Sequence, residues 1–305
     1  MEYLPKRAAF YANSKSRRGA DWFAPACVRL RAGGLELTDT KLFDSNAEVV
    51  DAASKAIAEG EAMVIVGGGD GTISSAAHLF ERSNAILGVL PFGTGNAFAK
   101  DIGIPPEMEK ACDVLIDGRV AEVDVGVANR RLFLNVATLG ISTLIAQDLS
   151  SGIKKVAASA AYLIALVRAL NQVKPFRATL IADGEEHVFD TLQIVVGNGR
   201  FHAGPFLIAE DASIEAGTLS IYALATKNKF DFIKLALRLR SGKQGGLREA
   251  KTFRAKRVHL ETQPSRKITL DGEVLLETPV EFSVLPGAIR VAVPKDWNSH
   301  AINPP

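Results

Sequence analysis

The sequence predicts two architectures in tandem. Residues 1–122 read as an α/β domain on a mostly parallel sheet, and residues 123–289 as a mainly antiparallel β domain with inserted helices. Three observations carry this. The 305 residues are about twice an ordinary domain. Apolar runs of strand length alternate with helical segments up to Gly118. From Val120 the apolar period drops to two, with Val123, Val125 and Val127 separated by polar or small residues. Residues 290–305 are candidates to rejoin the first domain.

Ala8 to Ala12 is a buried strand ending in the polar, basic turn Asn13 to Gly19. Leu35 to Thr38 reads as a second strand. Ser45 and Glu48 form a capping box, and Val49, Ala53 and Ile57 follow on one helical face before Gly60. Met63 to Val66 is a third strand, running into Gly67-Gly68-Gly69-Asp70-Gly71-Thr72. Ile73 to Arg82 suits a helix and Ala85 to Leu90 a strand, which ends in a second glycine turn, Pro91 to Asn96. A helix from Glu107 to Ile116 stops at Asp117-Gly118. Beyond Asn129-Arg130 come strand-like runs at 132–137, 178–182, 191–196, 219–223, 258–261, 267–270, 280–285 and 289–293. Helices are expected at 154–171 and 229–240.

Composition narrows the function. Apolar content of 47% and charged content of 23% are those of a globular chain, and a net charge of +2 argues against a nucleic-acid binder. Two cysteines, Cys27 and Cys112, are too few for a disulfide framework or a cysteine-rich zinc site, and they read as reduced core residues. The apolar run Val156–Val167 is 12 residues long, short of the roughly 20 that cross a bilayer. Five apolar residues, Ala8 to Ala12, make no secretion signal, so a cytoplasmic protein is expected. The five histidines lack ligand spacing.

Gly67 to Thr72 lies between a strand and a helix. Glycines let backbone N–H groups approach phosphate oxygens, the helix N-terminus favours negative charge, and Thr72 adds a hydroxyl. Asp70 would repel a bare phosphate, and makes sense with Mg²⁺ or its waters between them. The alternative is a tight turn with Asp70 as a helix cap. The run is neither a Walker loop nor a dinucleotide fingerprint.

These turns, followed near the end by Leu270-Asp271-Gly272-Glu273, resemble the diacylglycerol kinase catalytic superfamily, with the bacterial soluble lipid kinases closest and sphingosine and ceramide kinases as relatives. Phe98 to Pro105 and Val196 to Arg200 extend the resemblance along most of the chain. It implies a NAD-kinase-like first domain and an ATP- and Mg²⁺-dependent kinase with ATP in the interdomain cleft. The acceptor would be a hydroxyl of diacylglycerol, phosphatidylglycerol or a sphingoid lipid. Glu273 would be the general base, with Asp271 orienting it or the metal-bound waters; Asp-Gly here is also a common hairpin signal. Asp70 joins them as a catalytic candidate. Nucleotide contacts would come from Asn13, Arg18, Thr38, Gly68, Gly69, Gly71, Thr72, Gly93, Thr94, Gly95 and Asn96. Asp70 and Asp124 would act on the metal through waters.

The chain departs from the family pattern. Ser14 replaces a proline, Ile73-Ser74-Ser75 stands for Asn-Glu, Ala97 for an aspartate, and Glu215-Ala216-Gly217 for an Asp-Gly pair that helps hold a structural metal. No permanent metal is expected at that turn. A NAD kinase is the enzyme alternative, and a non-catalytic lipid- or nucleotide-binding regulator the other. Residues 227–257 hold eleven Lys or Arg against two acidic residues, a charge of +9 that leaves −7 for the remainder. They form a solvated face or a peripheral dock for anionic membrane at its inner surface. A homodimer is the open alternative to a monomer.

Overall fold

A computed structural model describes residues 2–81, 83–150, 165, 167–203, 206–207, 212–226 and 250–298. Two compact units result. One comprises Met1–Val125, Ser213–Gly217 and Leu285–Pro305, the other Gly126–Ala212 and Thr218–Val284.

In the first unit β1 (Arg7–Asn13), β2 (Glu36–Phe43), β3 (Met63–Gly68) and β4 (Ile86–Pro91) lie in the order β2-β1-β3-β4, all parallel. Connections α1 (Gly19–Ala32), α2 (Asn46–Ala58) and α3 (Asp70–Ala77) return the chain each time. All six residues of β3 and of β4 are buried, as expected of strands covered on both faces. After β4 come α4 (Ala97–Asp101) and α5 (Met108–Asp117), which buries Met108, Ala111, Cys112, Leu115 and Ile116. Strand β5 (Arg119–Ala128) follows and pairs with β6 (Arg131–Phe133), and further on β11 (Phe201–Ala203) pairs with β12 (Phe206–Leu207). Both cysteines are reduced and buried, and burial pushes the Cys112 thiol up to about 12.

Three elements differ from expectation. Strand β2 does not stop at Thr38; it is an edge strand with mostly exposed or half-buried side chains, so Asp39 and Lys41 sit in it without cost. Helix α1 was concealed by Pro25 in its interior. Helix α3 begins at Asp70 rather than Ile73 and ends at Ala77, short of Arg82.

The second unit is a β-sandwich. Its larger sheet runs β14-β13-β10-β7-β16-β17, all antiparallel: β7 (Val136–Gly140), β10 (Gln193–Gly197), β13 (Leu219–Leu224), β14 (Ala250–Ala255), β16 (Lys267–Leu270) and β17 (Glu273–Glu277). Facing it, β8 (Phe176–Ala182) pairs with β9 (Glu185–Thr191) and with β15 (Arg257–Gln263), which pairs with the first part of β18 (Val280–Val293). Ile194, Val196, Ile221 and Ile268 pack against Phe176, Leu180, Leu260 and Phe282 between the sheets. Val195 and Tyr222 point the other way and pack under α6 (Ile141–Ser150) and the helical residues Ala165 and Ala169. Strand β10 thus feeds two cores from alternate residues.

Helix α6 was not foreseen. Most of the helix expected at 154–171, and all of that at 229–240, falls outside the described residues. The two strands expected at 280–285 and 289–293 are one, β18. Pro286 and Gly287 lie between the two expected runs, but Gly287 takes φ +57° within the strand and donates its N–H to Asp124 Oδ1 at 2.9 Å.

Candidate active site

The first unit gathers its polar turns at the carboxyl ends of the parallel strands, where Asn13, Phe43, Gly68 and Pro91 terminate β1, β2, β3 and β4. Asn13 holds the first turn: Oδ1 accepts the Lys15 N–H at 2.8 Å and Nδ2 donates to Asn46 Oδ1 at 2.7 Å. Thr72 donates its hydroxyl to that same Asn46 oxygen at 2.8 Å. Asn46, at the start of α2, therefore ties the end of β1 to the start of α3. The Thr72 hydroxyl proton points inward to Asn46, not outward as the sequence suggested.

The two glycine turns touch backbone to backbone. A Cβ on Gly93 would fall 2.4 Å from Gly69 Cα, and one on Gly95 2.6 Å from Asp70 Oδ2. Asp70 Oδ1 accepts the Ala97 N–H at 2.6 Å, so Asp70, first residue of α3, caps the following short helix α4. Asn96 is left-handed, with φ 51°. Its side chain closes its own turn, accepting from Gly93 N and donating to Pro91 and Gly93 carbonyls. The Arg18 N–H bonds the Phe92 carbonyl at 3.0 Å, and its guanidinium lies over Trp22, 4.3 Å from the ring centroid. Thr94 is exposed at the tip. The N–H groups of Asp70 and Gly71 precede the first backbone bonds of α3, which run from Thr72 N and Ile73 N to Gly69 O.

Thr38 is not part of this assembly. It is the third residue of β2, at the opposite end of the sheet, and its hydroxyl donates to Glu61 Oε2 at 2.6 Å. Its expected place at the end of the second strand followed from reading that strand five residues short.

Asp124 is buried in the first unit. Oδ2 accepts the Gly217 N–H at 2.6 Å and Oδ1 that of Gly287, while its own N–H bonds Ile214 O. Burial raises its pKa, the two N–H donors pull it back, and Glu215 raises it again. Both oxygens brace backbone turns, which leaves Asp124 poorly suited to hold a cation. Among the described residues no three His, Cys, Asp or Glu side chains stand where they could hold a metal.

In the second unit, Asp271 and Gly272 take φ 47° and 95° between paired Leu270 and Glu273, the two-residue hairpin that Asp-Gly favours. The Asp271 carboxylate accepts three backbone N–H groups: Leu134 on Oδ2, Asn135 and Val136 on Oδ1, at 2.8–2.9 Å. The same segment is held from its other side by Asn198, whose N–H bonds Asn135 O and whose Nδ2 donates to Leu134 O. Asp271 thus anchors the hairpin, and Glu273, exposed, opens β17.

The first part of the chain, residues 8–128, matches the diacylglycerol kinase catalytic domain. Residues 135–293 match the YegS C-terminal NAD kinase beta sandwich-like domain. The chain belongs to this lipid kinase family. It is 34% identical over 244 residues, 79% of each chain, to a "Probable lipid kinase YegS-like" of Pseudomonas aeruginosa. It is 29% identical over 277 residues, 88% of this chain and 89% of the other, to a "Diacylglycerol kinase" of Mycobacterium tuberculosis. A crystal structure of a diacylglycerol kinase from Bacillus anthracis shares the fold, with a TM-score of 0.75 at 19% identity over 96% of this chain and 98% of that one. The protein is accordingly a lipid kinase, a phosphotransferase. Among the described residues, no helix is long and apolar enough to cross a membrane.

In this lipid kinase, Asn46 is the site residue that sequence reasoning missed. One signal was available: it directly follows Ser45, the cap of a helix that starts at a strand's carboxyl end.

Proposed function

We propose that this lipid kinase transfers the γ-phosphoryl group of ATP to a hydroxyl of a membrane lipid of diacylglycerol, phosphatidylglycerol or sphingoid type. One observation carries the nucleotide half of the reading. The Gly67–Thr72 and Pro91–Asn96 turns are packed together at the carboxyl ends of parallel strands, with the N-terminus of α3 opening there. The backbone at Gly69 to Gly71 and exposed Thr94 would hold phosphates, while Asn13, Asn46 and Asn96 keep those turns in place. Mg²⁺, when bound with ATP, supplies neutralisation of phosphate charge. Asp70, whose Oδ1 accepts the Ala97 N–H, would act on that ion through its waters. As the new oxygen–phosphorus bond forms and ADP leaves, Glu273 takes the proton of the acceptor hydroxyl, a role its exposed carboxylate permits.

The test is a radiolabelled ATP assay against a lipid panel with NAD included. Label in a lipid is the expected result. Label in NADP, or in nothing despite ATP binding, would overturn the reading.

We also assign the basic stretch 227–257 to docking on anionic lipid; residues 227–249 lie outside the described residues. Changing Lys234, Arg238 and Arg240 to Gln should weaken sedimentation with anionic vesicles while activity on short-chain soluble lipid survives. Equal sedimentation would leave only a solvated face.

A further inference from the structure

The second unit carries a cavity of about 310 Å³ beside α6, at the end of β16 away from the Asp271 hairpin. Lys267 lies four residues from Asp271, roughly 13 Å along an extended strand. Three cationic residues line the cavity, Lys174, Arg266 and Lys267, against one acidic residue, Glu277. The Thr143 and Ser265 hydroxyls also line it, but they already donate to the Thr138 and Thr278 carbonyls, each at 2.8 Å.

Arg266 is the informative member. Its Nη2 donates to the Lys174 carbonyl at 3.1 Å, and its guanidinium carbon stands 4.9 Å from the centroid of the Phe176 ring. Its Nε is buried and has no acceptor. Among the described residues no carboxylate forms an ion pair with it. Burial disfavours its charge, yet a guanidinium does not give up its proton, so an anion would offset the part of the desolvation cost that the Lys174 carbonyl and Phe176 ring leave.

We propose that this cavity binds a phosphate group, carried by a small soluble anion or by a lipid headgroup. The net lining charge of two suits inorganic phosphate, which carries about −1.5 to −2 at neutral pH, and also a singly charged phosphodiester headgroup. A planar guanidinium and two ammonium groups suit several acceptor oxygens at once. The volume exceeds a bare phosphate and leaves room for a glycerol-sized group against the Phe176 side. The site shares no residue with the glycine turns and does not depend on turnover.

The experiment is calorimetric titration of the full chain with inorganic phosphate at constant ionic strength in chloride. A parallel arm measures co-sedimentation with phosphatidylglycerol–phosphatidylcholine vesicles against phosphatidylcholine alone. Arg266→Gln and Lys174→Gln are compared with the unmodified protein; Lys174 is exposed, so that variant remains informative if Arg266→Gln fails to fold. Saturable phosphate binding weakened about ten-fold or more by either change is the expected result for a free anion. Silence toward phosphate with a comparable loss of phosphatidylglycerol binding assigns the headgroup. Phosphate binding that ignores both changes and is weakened by Gly71→Ala places it at the glycine turns and overturns the proposal. So does indifference of both probes to both changes.

Discussion

Asp271 accepts three backbone N–H groups, whereas Glu273, two residues on, is exposed, and this separates their mutants. Asn tolerates the left-handed backbone at 271, so Asp271→Asn changes little except to bring an amide donor against backbone donors. A loss of about 1–3 kcal/mol in unfolding free energy is expected. Glu273→Gln should leave stability within about 0.5 kcal/mol while lowering turnover roughly 10²-fold or more with ATP binding kept. Denaturant titration and kinetics on both proteins decide this; unchanged turnover in Glu273→Gln removes it as the base. The sequence showed both carboxylates but not their division of labour. Asp-Gly announces a hairpin, while its three N–H partners lie more than 130 residues away in sequence. Asn46 was hidden likewise, because its neighbours Asn13 and Thr72 meet it only once strand and helix ends converge.

Between elements, glycine does two different jobs that a string of letters cannot distinguish. Gly93 lets one turn rest on the other: its Cβ would meet Gly69 Cα at 2.4 Å and Asn96 Oδ1 at 2.8 Å, and backbone cannot step aside. Gly93→Ala should cost about 1–3 kcal/mol and weaken nucleotide binding with it. A Cβ on Gly71 meets only Asn46 Nδ2, at 3.9 Å, in the first turn of α3. Gly71→Ala should therefore be neutral or stabilising by up to about 1 kcal/mol, yet weaken ATP if that backbone approaches phosphate. Full ATP affinity in a well-folded Gly71→Ala protein would refute that approach.

A second test at this scale concerns β15 and β18. His259 faces Glu281 across the pair and Glu261 two residues on, and hydrogen bonds first to Glu261, then to Glu281, raise its pKa above 6.5. The folded state then holds the proton more tightly than the unfolded one. The stabilisation is complete below about pH 6.5 and is lost as pH rises through the higher folded value. The melting-temperature gap between the protein and His259→Gln should shrink from about pH 6 to about pH 9; a constant gap would dismiss the linkage. Buried parallel strands were legible as apolar runs. The exposed edge β2 was legible only at its start, because its polar side chains beyond Thr38 copy a turn.

For the molecule as a whole, the open question is whether any ion is resident before nucleotide arrives. The turn at 213–217 offers no aspartate: the Glu215 N–H bonds Ser213 Oγ, the Ala216 N–H bonds Ser213 O, and Gly217 donates to Asp124. Asp124, the carboxylate nearest in chemistry to a hard-cation ligand, already holds the Gly217 and Gly287 N–H groups, and burial raises its pKa. A cation there would have to displace two hydrogen bonds from Asp124, and among the described residues no three His, Cys, Asp or Glu stand together to complete the ligands that Mg²⁺ demands. These hydrogen bonds would brace the turn without a metal. A chelated, nucleotide-free sample should melt at the same temperature as one in millimolar Mg²⁺. A resident site filled at a hundred times its dissociation constant would instead add about 2.7 kcal/mol. Scanning calorimetry with and without chelator separates the two, and a clear Mg²⁺-dependent rise without nucleotide would show that the turn holds an ion after all.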